Sequence, residues 1–209
     1  MTIRYTTASC NLGRMLIART DAGICAIGLA DTDAELVERL HEVRSSEELT
    51  HDNAAVAEWC AAVIAYLNGG PLPKLPMDAT GTEFQHRVWS ELQRIPSGQT
   101  RSYSEVAAAL GKPLAVRAVA RACATNPVCL LVPCHRVIGS DGGLRGYRWG
   151  VERKQILLGR EAQPTADTRT ALCCASWLTE FNSTHLAPRD EKHPAERDEY
   201  LNYPGARGS

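Results

Sequence analysis

Hydrophobic and polar positions change their period several times along the chain. Residues 3–8, 15–18 and 24–29 are short runs rich in branched apolar side chains, and Asp21-Ala22-Gly23 lies between the last two as a hairpin turn. Three strands are predicted there. Thr32-Asp33-Ala34-Glu35 then has the form of a capping box, with Leu36, Leu40 and Val43 following at helical spacing. Residues 45–52 read as a polar loop, and residues 54–67 as a second helix stopped by Gly69-Gly70. No reactive constellation appears in this portion, which reads as a scaffold.

Pro71, Pro73 and Pro76 mark an extended linker. Beyond it Thr82-Glu83-Phe84-Gln85 is a second capping box, opening a helix predicted through Ile95 with Phe84, Val88, Trp89 and Leu92 inward. Ser102-Tyr103-Ser104-Glu105 caps a short helix over residues 103–110, Gly111-Lys112 turns the chain, and Pro113 is predicted in the first turn of a helix running to Ala124. Two short helices around a glycine-containing turn read as a helix-turn-helix. An alanine-rich helix packed in a core accounts for the second of them nearly as well. The apolar run 128–132 reads as a buried strand, the glycine-rich stretch 139–150 as a loop, and residues 150–161 as a closing helix. In that helix Ile156, Leu157 and Leu158 are expected to pack, with Arg153 and Lys154 outward. From Pro164 the periodicity fails, and residues 164–209 are expected to be a disordered tail.

Charge sharpens this division. The net charge of −1 conceals about −5 over residues 1–79, +6 over 80–163 and −2 over 164–209. A basic middle in a near-neutral chain points to a polyanion-binding face, and a merely solvated basic surface explains it equally well. No signal segment and no apolar run of membrane-spanning length occurs, so a cytoplasmic location is expected. The eight cysteines sit mostly in apolar runs and form no C-x2-C pair, so neither disulfides nor zinc are expected.

The stretch with the most chemistry is Asn126 to Trp149, NPVCLLVPCHRVIGSDGGLRGYRW. Cys134 follows the apolar run and is flanked by His135 and Arg136. A thiol on a rigid support beside an imidazole and a guanidinium is where a lowered cysteine pKa is expected. A buried structural cysteine flanked by surface charge is the other reading.

The run Pro133-Cys134-His135-Arg136-Val137, Asn126-Pro127-Val128 before it, the helices holding Tyr103 and Arg117, and Gly146-Tyr147-Arg148-Trp149-Gly150 after it carry a resemblance. The chain resembles the 6-O-alkylguanine-DNA alkyltransferases over residues 5–161, most of all the carboxy-terminal half of the bacterial adaptive-response protein. The resemblance implies an α+β protein: a small ribonuclease H-like unit over residues 1–78, then a winged-helix-type domain with a helix-turn-helix over 79–163. It implies single-turnover repair, the alkyl group of 6-O-methylguanine, and of 4-O-methylthymine, passing from duplex DNA to the protein itself.

By the same resemblance Cys134 is the nucleophile and acceptor, His135 activates it through a bridging water, and Glu161 orients the histidine. A water relay suits an extended backbone, where adjacent side chains point apart. Tyr103 is implied to assist the leaving oxygen and Asn126 to brace the turn before the cysteine. Arg117 is implied to fill the gap left by an extruded nucleotide, and Arg121, Arg136, Ser102, Ala118 and Thr125 to contact DNA. Val137, Tyr147, Arg148 and Trp149 are implied to wall the base pocket. No cofactor or metal is implied; the partner is double-stranded DNA with alkylated bases, bound by a monomer associated with the nucleoid.

Cys129 departs from the small residue usual in relatives, and the zinc-binding, transcription-activating half of the adaptive-response protein has no counterpart. Alkyltransferase-like proteins, which flip damaged bases without chemistry, are the alternative reading, but they carry tryptophan at the position of Cys134. A helix-turn-helix regulator would need an effector domain that the sequence does not display.

Overall fold

Strand-forming residues alternate with tight turns at the start of the chain, and the result is an antiparallel meander. In the computed structural model, which describes residues 2–162, β1 (Thr2–Cys10), β2 (Gly13–Arg19) and β3 (Ile24–Ala30) pair in sequence order. The hairpin at Asp21–Gly23 is closed by the Thr20 amide donating to Gly23 O at 2.9 Å. The expectation for residues 164–209 lies outside the described residues.

Helix α1 (Asp33–Val43) follows, with Thr32 accepting from the Glu35 amide. The reciprocal half of the expected capping box is not made, because the Glu35 carboxylate pairs with Arg39 at 2.6 Å instead. Residues 45–52 are not only a loop. They contain β4 (Glu48–His51), which lies parallel on the free edge of β1 and completes the order β3-β2-β1-β4. Helix α2 (Asn53–Leu67), capped by Asp52, packs Val56, Cys60, Val63 and Leu67 onto the sheet.

The second portion is helical. α3 (Glu83–Leu92) begins at a complete capping box between Thr82 and Gln85 and ends a turn earlier than expected, residues 93–95 continuing as single tight turns. A two-stranded parallel ribbon, β5 (Arg101–Ser102) with β6 (Val137–Ile138), frames the helix-turn-helix of α4 (Tyr103–Ala109) and α5 (Val116–Ala124). The complete Ser102–Glu105 capping box sets the start of α4. Pro113 is not in the first turn of α5. The chain first closes a turn through the Ala115 amide to Lys112 O at 2.9 Å, and only then becomes helical at Val116.

The run 128–132 is a folded turn rather than a strand. Val128 bridges to Ile27, the Val132 amide returns to Val128 O at 3.0 Å, and Leu130 takes φ 74°, the one positive φ of a non-glycine residue among the described residues. A buried loop satisfies its polar backbone this way without a full ladder. Cys134 therefore sits not on extended backbone but at the start of a 3-10 turn, Cys134–Arg136. Closing helix α6 (Val151–Glu161) buries Lys154 and Leu157 while Ile156 is exposed, the reverse of the expectation for Lys154 and Ile156.

One hydrophobic core runs through both portions, joining Ile27, Leu29 and Val63 to Leu92, Val119, Leu130, Val137 and Leu157. A smaller cluster under α1 holds Ile3, Leu16, Leu36 and Leu40. No helix among the described residues is long and apolar enough to cross a membrane.

Candidate active site

The site is assembled by short-range bonds around the folded turn. Asn126, just past the end of α5, accepts from the Val128 amide at 3.0 Å and donates to Val132 O at 2.9 Å. The same amide nitrogen lies 3.2 Å from Cys134 Sγ. One side chain thus closes the loop and also directs an N–H at the sulfur. Such a bond favours the thiolate, but it does not win at rest. Cys134 is only 5% exposed, and burial pushes the thiol up despite the Asn126 bond and the nearby Lys154 charge. The lowered pKa expected from its neighbours is overturned: loss of water outweighs the local positive charge. Cys134 is a protonated thiol whose sulfur is poised to receive charge.

His135 is fully buried, and its Nε2 lies 3.0 Å from Glu161 Oε1. Burial opposes the charge on Glu161, but hydrogen bonds from His135 and Arg136 outweigh it and hold the carboxyl well below the usual carboxylate range. An ionised carboxylate only accepts, so Nε2 carries the proton and donates it to Glu161. Nδ1 is then the basic nitrogen; it is buried and has no partner among the described residues. Burial also pushes the imidazole pKa down, which keeps this nitrogen unprotonated.

Arg136, expected on a DNA-contacting surface, is drawn inward and only 4% exposed. Its Nε and Nη2 each meet Glu161 at 2.8 Å, and Nη1 donates to Ile95 O at 2.6 Å. The physical reason is the 3-10 turn, which carries all three of its side chains into the interior. Thr125 and Ser102 also spend their hydroxyls within the fold, Thr125 on Arg121 O and Gln85, Ser102 on its helix cap. Arg117, Ala118 and Arg121 are on the exposed face of α5, whose other face buries Val119, Ala122 and Cys123. Tyr103 opens α4 and is partly buried.

Three residues of the site escaped the sequence reading. Tyr66, from α2, donates its hydroxyl to Glu161 Oε1 at 2.8 Å. Gly98 offers its amide to Glu161 Oε2 at 3.4 Å; its φ of 78° and a Cβ position 2.8 Å from Glu161 O admit no side chain. Lys154, fully buried, donates to Val137 O at 2.6 Å and Arg145 O at 3.4 Å, bracing the ribbon that follows the 3-10 turn. Lys154 carried a readable signal: it shares a face of α6 with Leu157 and Glu161 at helical spacing. Tyr66 and Gly98 carried none, being 95 and 63 residues from their partner.

Both portions of the chain match one family. Residues 3–74 match the ribonuclease-like domain of 6-O-methylguanine DNA methyltransferase, and residues 83–163 match the DNA-binding domain of the same family. The inducible methylated-DNA–protein-cysteine methyltransferase of Bacillus subtilis is 39% identical over 153 residues, covering 72% of this chain and 86% of that one. The chain belongs to the 6-O-methylguanine DNA methyltransferase family. The bifunctional transcriptional activator/DNA repair enzyme Ada of Escherichia coli is 48% identical over 164 residues, 78% of this chain; the match spans about half of Ada, 46% of its length. The O6-methylguanine methyltransferase of Mycobacterium tuberculosis shares the architecture with a TM-score of 0.67 at 33% identity, over 80% of this chain and 99% of that one.

The residues expected to wall a base pocket are placed differently from one another. Val137 is fully buried behind the 3-10 turn, and the Tyr147 hydroxyl is buried with no partner among the described residues. Trp149 is buried. Its ring packs against Gly28 of β3, with the Arg148 guanidinium 4.9 Å and the Arg39 guanidinium 5.7 Å from its centroid. Among the described residues no group of three or more His, Cys, Asp and Glu side chains is placed to hold a metal ion.

Proposed function

We propose that this chain repairs alkylated duplex DNA by moving the alkyl group of 6-O-methylguanine, and of 4-O-methylthymine, onto Cys134. The observation that carries the reading is the buried thiol held by Asn126 next to a histidine whose Nε2 proton is committed to Glu161. The sulfur lone pair forms the S–C bond as the C–O bond to the base breaks and its electrons pass to the base oxygen. The thiol proton goes to His135 Nδ1 through a bridging water, and Tyr103 donates a hydrogen bond or proton to the leaving oxygen. A thiol that ionises only as the proton is withdrawn fits the raised Cys134 pKa.

DNA would be held by residues 79–163, with Arg117 in the vacated base position and Arg121 on phosphate, while residues 1–78 scaffold the site. The relevant partner is alkylated duplex DNA, bound by a monomer at the nucleoid. In support, a solved Mycobacterium tuberculosis relative in complex with DNA aligns with a TM-score of 0.66 at 35% identity, over 78% of this chain and 93% of that one. Nothing corresponding to the remaining half of Ada is carried over.

The product is a thioether, and water does not release it, so each molecule acts once. Titration against excess 6-O-methylguanine duplex, followed by peptide mapping, should show one methyl per protein on the Cys134 peptide and none after Cys134→Ser, which still binds DNA. Turnover beyond one lesion, or a label on Cys123 or Cys129, overturns the reading.

A further inference from the structure

A concavity lies apart from Cys134. It has a volume of about 300 Å³ between α1, β3, the residues flanking Asn126, and Arg148-Trp149. Cys134, His135, Tyr103, Tyr147 and Glu161 are not among its walls. That volume is at the lower end for sites that take small organic molecules. Its apolar wall is Leu16, Ile27, Leu36 and Leu40 together with the Trp149 ring.

The charged groups are unbalanced. Arg39, Arg44 and Arg148 line the cavity against one carboxylate, Glu47. Arg44 is the informative one, being 7% exposed. Its Nη1 donates to Thr80 Oγ1 at 3.1 Å and reaches Glu47 at 3.4 Å, and its Nη2 donates to Cys25 O at 3.3 Å. Its Nε is buried and has no partner among the described residues. Leaving a buried charged donor unmade is costly, and a guanidinium in the wall of a cavity with an excess of positive charge suits an oxyanion. Arg39 is at the rim, paired with Glu35 at 2.6 Å and lying over one part of the Trp149 ring.

We infer that this cavity binds a small molecule with an apolar, ring-sized body and one carboxylate or phosphate group. The oxyanion meets Arg44, and the body lies against Trp149 and the leucine wall. Neither a bare anion nor a neutral hydrocarbon would satisfy both halves of the site. The position gives occupancy a route to the reactive centre. Thr125 and Pro127, which wall the cavity, bracket Asn126, the residue that holds Cys134 Sγ at 3.2 Å. Ligand there would stiffen both that turn and the Arg148-Trp149 segment that follows Tyr147.

The test is calorimetric titration of the full chain with phenyl phosphate, set beside inorganic phosphate and phenol, and needs no transfer assay. Saturable one-to-one binding near the millimolar range is expected for a ligand of this size, roughly. Each control should bind at least about tenfold more weakly, since each lacks one half of the recognition. Arg44→Gln should weaken phenyl phosphate about tenfold or more. Arg44 also braces Cys25 and Thr80, so Arg39→Ala, at the rim, provides a variant that spares the fold and should weaken binding about threefold. Absence of saturable binding to the unaltered protein, phenol binding as well as phenyl phosphate, or equal affinity in the folded variants would overturn the inference.

Discussion

Glu161 and Arg121 belong to the same basic stretch of sequence, yet the fold uses their charges in opposite ways. Around Glu161 the charges are buried and committed: His135, Arg136, Tyr66 and Gly98 all direct donors at one carboxylate. On α5 the guanidinium of Arg121 is exposed, on a face flanked by small alanines. A buried, satisfied network is rigid and expensive to disturb. An exposed charged face binds through long-range, salt-sensitive forces. The difference separates the part of the molecule that sets proton positions from the part proposed to meet a polyanion. Leu114, 99% exposed, lies in the turn before α5.

Disturbing the buried network should give the largest effect. Glu161→Gln turns one of the two acceptor oxygens into a donor, so the His135 tautomer is no longer fixed, and leaves Arg136 without its counter-charge. Single-turnover transfer should slow by about 10² to 10⁴, and unfolding free energy should drop by about 3–5 kcal/mol. In the unaltered protein the same groups set the acid limit. His135 and Glu161 both have folded pKa values below their unfolded ones, so their stabilisation is complete at neutral pH. It should begin to fail below about pH 6.5 through His135 and further below about pH 4.3 through Glu161, as seen in denaturation midpoints against pH. A midpoint unchanged between pH 7 and 5 would contradict the buried, neutral histidine.

The exposed face should respond to salt rather than to pH. Contacts to four to six phosphates imply a log–log slope of roughly −4 to −5, or a loss of several hundredfold between 50 and 200 mM salt. A flat salt dependence would remove the electrostatic half of the comparison. Within that face Arg117→Ala should weaken lesion-containing duplex about tenfold, and intact duplex less, because extruding a base costs a few kcal/mol that a side-chain plug offsets. Equal losses on both duplexes would make Arg117 an ordinary phosphate contact.

Tyr66→Phe should give the smallest change and is the finest probe of the network. Losing one donor to Glu161 costs about 1 kcal/mol and should slow transfer about fivefold. It also leaves the Glu161 carboxylate a stronger acceptor for His135 Nε2, which favours the imidazolium, so the acid limb of the rate profile should move to higher pH. A slower rate with an unmoved profile would mean that the tyrosine only packs.

What the sequence made legible was local. The capping boxes at Thr82 and Ser102 and the hairpin at Gly23 depend on neighbours a few residues apart, and each is where it was expected. The family motif around Cys134 was equally visible. Strand β4 was not, because an edge strand with exposed Glu48, Thr50 and His51 has no buried alternation to display. Pairing with β1 alone makes it a strand. The state of Cys134 was misread for a related reason: its charged neighbours are adjacent in sequence, but the burial that overrides them comes from residues far along the chain. Tyr66 is the extreme case, an ordinary helix residue until the fold places it on Glu161.

The loop before Cys134 is pinned to the first sheet, not only to its own helices. The Ile27 amide donates to Pro127 O at 2.8 Å, and Cys129 Sγ reaches Ile27 O at 3.2 Å across a separation of 102 residues. Contacts that distant close late, after the entropy of a long intervening chain has been overcome. The order of assembly follows. Helices α3 to α5 contact one another over shorter separations, whereas the Cys134 loop is complete only with the meander in place, and the Glu161 cluster only with α2 as well. The surroundings of the Cys134 loop are thus completed by the first thirty residues as much as by its own neighbours.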